Sequence, residues 1–224
     1  MSAMKVLKPG ILSLLTDLGR FGHHQIGLTS GGPVDPYAFR WANRLLDNEE
    51  NTTQVEASFG GLELAAELDT RVAVTGAEVD FKINGELKEL WRSHPVKAGD
   101  KLSLGFANSA CRSYLAVAGG FQIAPTFGSS ATVVREGLGG LSGDKLAAGD
   151  RLPCQSLLEG KLWVLPEYLR PDYEAEKILR VIPGYQQRAF SRVQQRLFFS
   201  SEYEVSDRCD RMGYRLMGAE IKPS

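Results

Sequence analysis

Cysteine is scarce here: the 224 residues hold three, Cys111, Cys154 and Cys209. They are far apart, odd in number and form no C-x-x-C, so they read as buried or free thiols in a reducing compartment rather than a disulfide framework. Histidine is equally sparse. His23 and His24 are adjacent and would point apart on a strand, and His94 supplies no useful third spacing, so no metal site is expected. No apolar run approaches the ~18 residues a membrane span needs. The first ten residues lack the apolar core of a signal peptide. A cytoplasmic protein is expected. Neither sign of charge dominates: the net charge is −1 and the pI is near 6.3. That argues against a nucleic-acid partner or an anionic membrane. There is no Walker A sequence, no G-x-S-x-G elbow and no biotin-carrier Met-Lys-Met. Gly137-Leu138-Gly139-Gly140 lacks the order and the strand–helix context of a dinucleotide fingerprint.

Glycine is abundant instead, at 24 residues with 10 prolines, above the ~7% average for glycine. Short apolar runs between such turns predict many strands and few helices. Strands are expected around Val6-Leu7, Ile11-Leu12, Gln54-Val55-Glu56-Ala57, Leu62-Glu63-Leu64-Ala65, Val72-Ala73-Val74, residues 101–106 and residues 113–118. Val79-Asp80-Phe81-Lys82-Ile83 alternates with period two, and the Asn84-Gly85 that follows is a strong hairpin signal.

The stretch from Thr29 to Asn48 combines a glycine turn, Gly31-Gly32, with a helix start. Asp35 is a good N-cap and Pro36 suits the first helical position. Ala38, Trp41, Ala42, Leu45 and Leu46 share one face, with Phe39 at its edge. Helix N-termini attract anions and carbonyl oxygens, although an ordinary capped turn explains the same residues. Residues 165–176, with Pro166 and Pro171 among charges, predict a linker. The expected layout is therefore residues 1–164 as a first domain, 165–176 as linker, and 177–224 as the start of a second domain. In that second part, Lys177-Ile178-Leu179-Arg180-Val181-Ile182 predicts a strand, residues 187–197 a short helix, and Tyr203-Glu204-Val205 another strand. Asp210, Arg211 and Arg215 could form an arginine fork for a carboxylate or phosphate, with the Asp orienting the Arg or taking a proton. A surface ion-pair cluster accounts equally well for the spacing.

Several ordered strings carry a resemblance. They are Asp17-Leu18-Gly19-Arg20; Gly31-Gly32-Pro33-Val34-Asp35 followed by Ala42-Asn43-Arg44-Leu45 and Glu56; Tyr114 to Gly120, with Leu115-Ala116-Val117-Ala118-Gly119-Gly120 at its heart; Gly128-Ser129 with the run from Gly139-Gly140 to Gly149-Asp150; Arg180-Val181-Ile182-Pro183-Gly184; and Asp210-Arg211-Met212-Gly213-Tyr214-Arg215-Leu216. Together the chain resembles the biotin-dependent carboxyltransferase family, also called allophanate hydrolase subunit 2. The resemblance implies a mainly β fold with a few helices, arranged as two cyclophilin-like β-barrel domains with a site between them. It departs from the family at Cys209, where Ser is usual, and at Gly143-Asp144, where Gly-Arg is common. Family members also continue beyond the point matching Ser224, so the second barrel is expected to be incomplete.

The family includes the C subunit of ATP-dependent 5-oxoprolinase and the carboxyltransferase part of urea carboxylase. The resemblance thus implies a subunit that helps activate the lactam of 5-oxoproline for hydrolysis to glutamate and is inactive alone. It would use ATP together with partner subunits, a B-type cyclophilin-like protein and an A-type hydrolase. One alternative is transfer of CO₂ from carboxybiotin to urea or a related amide. Another is a regulatory antagonist that binds a kinase inhibitor. Residues carried over as catalytic are Asp210, Arg211 and Arg215. Those carried over as substrate-binding are Gly31, Gly32, Asp35, Asn43, Glu56, Gly119, Gly120 and Tyr214, with Gly31-Gly32 and Gly119-Gly120 as expected N–H donors to a developing oxyanion.

Overall fold

The computed structural model describes residues 2–207 and 213–223. The chain divides into two compact units, Met1–Ala175 and Glu176–Ser224.

The first unit is a curled half-barrel of antiparallel strands. Its strands are β1 (Ala3–Pro9), β2 (Leu12–Thr16), β3 (Gln54–Ser58), β4 (Leu62–Ala66), β5 (Thr70–Ile83), β6 (Glu86–Leu87), β7 (Ser93–Val96), β8 (Lys101–Val117) and β9 (Arg151–Pro153). The main sheet runs β2-β3-β8-β4-β1-β9, and β5 pairs with β6, β7 and β8. Strand β8 explains the curl. Its first half pairs with β4, its second half with β3, and β5 follows it along much of its length. Register shifts between Gly76 and Phe81 bend the β5–β8 ribbon, as bulges do. The sequence predicts four separate strands where β5 and β8 each run continuously. The joining residues 107–112 are half-exposed and exposed by turns, so no apolar run marks them. The Asn84-Gly85 hairpin forms as expected: both residues have positive φ, and Ile83 pairs with Glu86.

Period-two alternation gives the sheet two buried faces. Val55, Ala57, Leu115 and Val117 point into the half-barrel with Phe81, Leu64 and Leu102. Ala73, Tyr114 and Ala116 point outward, beneath helix α1 (Pro36–Arg44). On α1, Ala38, Phe39 and Ala42 are fully buried, and Leu45 and Leu46 just beyond it are nearly so. Phe39 is therefore central to the buried face, and the half-buried Trp41 lies at its edge, the reverse of the helical-face expectation. Tyr114 decides this by standing edge-on to Phe39, ring centroids 6.0 Å apart.

Of residues 165–176, expected as a linker, residues 165–175 are instead part of this unit. Leu165 is buried and its N–H bonds Trp91 O at 2.8 Å. Tyr37 Oη donates to Leu169 O at 2.7 Å, and Tyr173 Oη donates to Asp35. The prolines that suggested a linker shape a strap fastened across the start of α1.

The second unit contains α2 (Arg192–Ser200) and a two-stranded pair, β10 (Tyr203–Val205) with β11 (Leu216–Gly218). The helix begins later than residue 187. Residues Tyr185–Ala189 form a 3-10 turn, Phe190 is extended, and Ser191 caps α2 by accepting from Gln194 N–H. Residues 177–182 form no strand. Their β propensity has no partner strand among the described residues, and propensity alone does not hold a strand. No helix among the described residues is long and apolar enough to cross a membrane.

Candidate active site

Strands β3 and β8 pair Glu56 directly opposite Tyr114, and both side chains emerge on the α1 face. Glu56 is fully buried, and a buried carboxylate survives only when bonded. Its Oε2 accepts from Tyr114 Oη at 2.8 Å and from Val34 N–H at 3.0 Å. Tyr114 Oη in turn accepts from Asp35 N–H at 2.8 Å. Arg112 Nε lies 3.7 Å from Glu56 Oε1. Burial first, and the Glu56 charge second, push the Tyr114 hydroxyl far above the tyrosine range. It is a fixed hydrogen-bond relay between strand and loop, never a phenolate at physiological pH.

Asp35 completes the cluster. Its Oδ1 accepts from Tyr37 N–H and Ala38 N–H, both at 3.0 Å, as an N-cap should. Its Oδ2 accepts from Tyr173 Oη. Burial and that bond raise the Tyr173 hydroxyl well above its usual range. Further along α1, Thr75 Oγ1 donates to Ala38 O at 2.7 Å and Gln54 Nε2 to Phe39 O at 2.8 Å.

A second polar cluster holds the far end of the helix. Asn43 Nδ2 donates to Thr52 O at 2.9 Å. Asn48 Nδ2 donates to Asn43 Oδ1 and to Val117 O. Asn48 Oδ1 accepts from Gly119 N–H at 2.8 Å, and Gly120 N–H bonds Val117 O at 2.9 Å.

The structure thus sorts the expected residues into separate places. Asp35 and Glu56 meet at the N-terminal end of α1, while the backbone of Gly31 and Gly32 just before it lies against Arg20 and Leu18. Asn43, Gly119 and Gly120 meet at its C-terminal end, about 13 Å away along a nine-residue helix. The expectation that Gly119 and Gly120 offer free N–H groups is corrected, because both N–H groups are used internally. The same holds for the α1 start: the N–H groups of Val34, Asp35, Tyr37 and Ala38 are all bonded within the chain. A phosphate would find no vacant first-turn donor there, so this helix start does not fit ATP. Tyr214 and Arg215 are exposed residues of the second unit, while Asp210 and Arg211 lie outside the described residues. Among the described residues no group of three His, Cys, Asp or Glu side chains could hold a metal ion.

Sequence reasoning placed Tyr114 at the start of a motif without giving it a role in the site, and missed Tyr173 and Arg112. A hydroxyl amid the apolar run 114–118 was a signal for Tyr114, since a buried phenol needs a partner. Nothing local marks Tyr173, which meets Asp35 across 138 residues.

Residues 26–224 match the family of the carboxyltransferase domain, subdomains A and B, and the chain belongs to that family. It is 34% identical over 227 residues to the C subunit of 5-oxoprolinase from Escherichia coli strain K12, covering 98% of this chain and 70% of that protein. It is 31% identical over 210 residues to the corresponding 5-oxoprolinase subunit of Haemophilus influenzae, covering 93% of this chain and 66% of that one. The crystal structure of the urea carboxylase of Kluyveromyces lactis superposes with a TM-score of 0.89 at 29% identity, over 99% of this chain and 21% of that protein. The chain therefore spans about two thirds of the two bacterial relatives and a fifth of the urea carboxylase.

Proposed function

We propose that this chain acts as the C subunit of an ATP-dependent 5-oxoprolinase, helping to activate the lactam of 5-oxoproline for hydrolysis to glutamate. The observation that carries the reading is its likeness, along nearly all of its own length, to that subunit in two bacteria. In this reading the chain works in the cytoplasm with a B-type cyclophilin-like subunit and an A-type hydrolase, and ATP is consumed by the assembly. The roles of its residues follow from chemistry. Ring opening places negative charge on the lactam oxygen, and the Arg211 and Arg215 guanidinium groups are suited to stabilise it. Asp210 orients them. Tyr214, next to Arg215 in the sequence, is assigned to substrate binding. The Asp35–Glu56–Tyr114 cluster holds the Gly31-Gly32 loop in place, and Asn43, Gly119 and Gly120 hold the other end of α1.

Reconstitution tests this. The purified chain with its partner subunits and ATP is expected to convert 5-oxoproline to glutamate, and the chain alone is not. In that assembly Arg211→Lys keeps the charge but loses the planar fork. A fall of roughly 10- to 150-fold in kcat/KM is expected, from about 1.5–3 kcal/mol per charged hydrogen bond. Turnover by the chain alone, or activity that falls only with the folded fraction, overturns the assignment. A second reading is carboxyl transfer from carboxybiotin to urea, favoured by the family match and the urea carboxylase likeness. Carboxylation of urea in the presence of a biotinylated carrier, with no 5-oxoproline consumed, would select it.

A further inference from the structure

The Asp17-Leu18-Gly19-Arg20 string has no part in the clusters above, yet it is buried and fully engaged on one side. Asp17 Oδ1 accepts from Gly19 N–H and Ser129 Oγ, and Oδ2 accepts from Ser130 N–H at 2.7 Å. Arg20 N–H bonds Ser30 O at 2.7 Å. The Arg20 guanidinium donates from Nη2 to Ala131 O at 2.7 Å and from Nε to Thr126 O at 3.4 Å. These bonds tie the turn at 126–131 to the glycine loop at 30–32.

The other side of Arg20 is unfinished. The residue is 2% exposed, its Nη1 has no partner, and among the described residues no carboxylate stands within ion-pair distance of it. A desolvated cation without a counter-charge is costly. Nη1 lies beneath Gly31, which is itself exposed. A Cβ added to Gly31 would stand 3.6 Å from Nη1, between Ala131 Cβ and Val133 Cγ2, and one added to Gly139 would stand 3.0 Å from Nη2. Two glycines therefore make the room around this guanidinium. The Gly31 N–H also has no partner among the described residues. Arg20 Nη1 is thus a buried charged donor without an acceptor, and the residue directly above it carries a backbone donor in the same condition. Glu136, the carboxylate that reaches this loop, is already held by Thr29 and Arg135.

We propose that Arg20 Nη1 and Gly31 N–H form a receptor for a small carboxylate. A carboxylate oxygen would replace the missing counter-charge on Arg20 and accept from Gly31. Gly31 must swing aside to admit it, a movement that a residue without Cβ makes readily. The inference rests on the reading above only in taking the ligand to be the carboxylate of 5-oxoproline.

The test is a titration of the isotope-labelled chain, followed by NMR at the Arg20 Nε–Hε and Gly31 amide signals. The probes are acetate, 5-oxoproline, 2-pyrrolidinone (the lactam without its carboxylate) and sodium chloride. Saturable shifts with acetate and 5-oxoproline are expected, and none with 2-pyrrolidinone or chloride. Arg20→Gln should weaken binding roughly tenfold or more. If that variant does not fold, Gly31→Ala, which fills the cradle while leaving Arg20, should do the same. Equal shifts with 2-pyrrolidinone, or no saturation with either carboxylate, overturn the proposal. Absent binding in a chain that is active after reconstitution defeats this inference alone. Binding in a chain that stays inactive with its partners defeats the functional reading alone.

Discussion

Two apolar runs of this chain have opposite fates. Val72-Ala73-Val74 lies in β5 with all three residues fully buried, while Ile178 and Ile182, in a run of similar β propensity, are 90% and 95% exposed. The first run has β7 on one side, β8 on the other, and packed side chains on both faces. The second has no neighbouring strand among the described residues. Among the described residues, every buried hydrophobic side chain belongs to the first unit. Strand propensity thus becomes a strand only where a neighbour completes the ladder and a face is covered.

Core truncation is the harshest way to sharpen this comparison. Phe81→Ala removes a fully buried ring from the half-barrel, and a loss of about 3–5 kcal/mol is expected. Ile182→Ala, at a position 95% exposed, should stay within about 0.5 kcal/mol. Urea denaturation of both variants checks the pair. A comparable loss in Ile182→Ala would show that the second unit holds a core of its own.

Polar contacts should follow the same division with smaller effects. Tyr114→Phe strands the Asp35 N–H and leaves Glu56 one donor short, which should cost about 1–3 kcal/mol. Tyr214→Phe, at an exposed position, should leave the thermal midpoint unchanged. Asp35→Ala removes the α1 cap and should cost about 0.5–2 kcal/mol, with Asp35→Asn recovering part of it through its remaining side-chain oxygen. A full-sized loss in Asp35→Asn would mean that the carboxylate charge matters more than the cap.

How far the sequence discloses this arrangement depends on distance along the chain. The Asp35-Pro36 cap and the Asn84-Gly85 hairpin are local chemistry, and both form where local rules place them. The period-two alternation of residues 79–83 also holds, because one residue pair decides it. The reversal of Phe39 and Trp41, the fastening of the 165–175 strap and the role of Tyr114 are not local. They are set by side chains 58 to 138 residues away, which no window on the sequence joins. The site residues show the same limit. Motif order groups Asp35 with Gly119, but the α1 helix separates them, and their N–H donors turn out to be structural.

A smaller effect concerns pH. His94 on β7 packs against Phe81 and bonds Glu89 O through Nε2 at 2.8 Å. Burial lowers its pKa below the ordinary 6.5, with the backbone bond to Glu89 opposing. The unfolded chain therefore binds the proton more readily. His94's share of stability is full above pH 6.5 and is lost as pH falls through the lower folded value. Glu63, Asp100 and Glu136 are held below their ordinary values by hydrogen bonds, so their losses come at lower pH. Thermal midpoints between about pH 7.5 and 5 should fall less in His94→Gln than in the parent. An identical slope would remove His94 from the account.

Hydrogen exchange at low protein concentration tests the central contrast most directly. The amides in the middle of β5 and β8 are predicted to exchange only through global unfolding. Those of residues 178–182 donate no hydrogen bond among the described residues, and should exchange close to the unprotected rate. Strong and equal protection in both stretches would contradict the account.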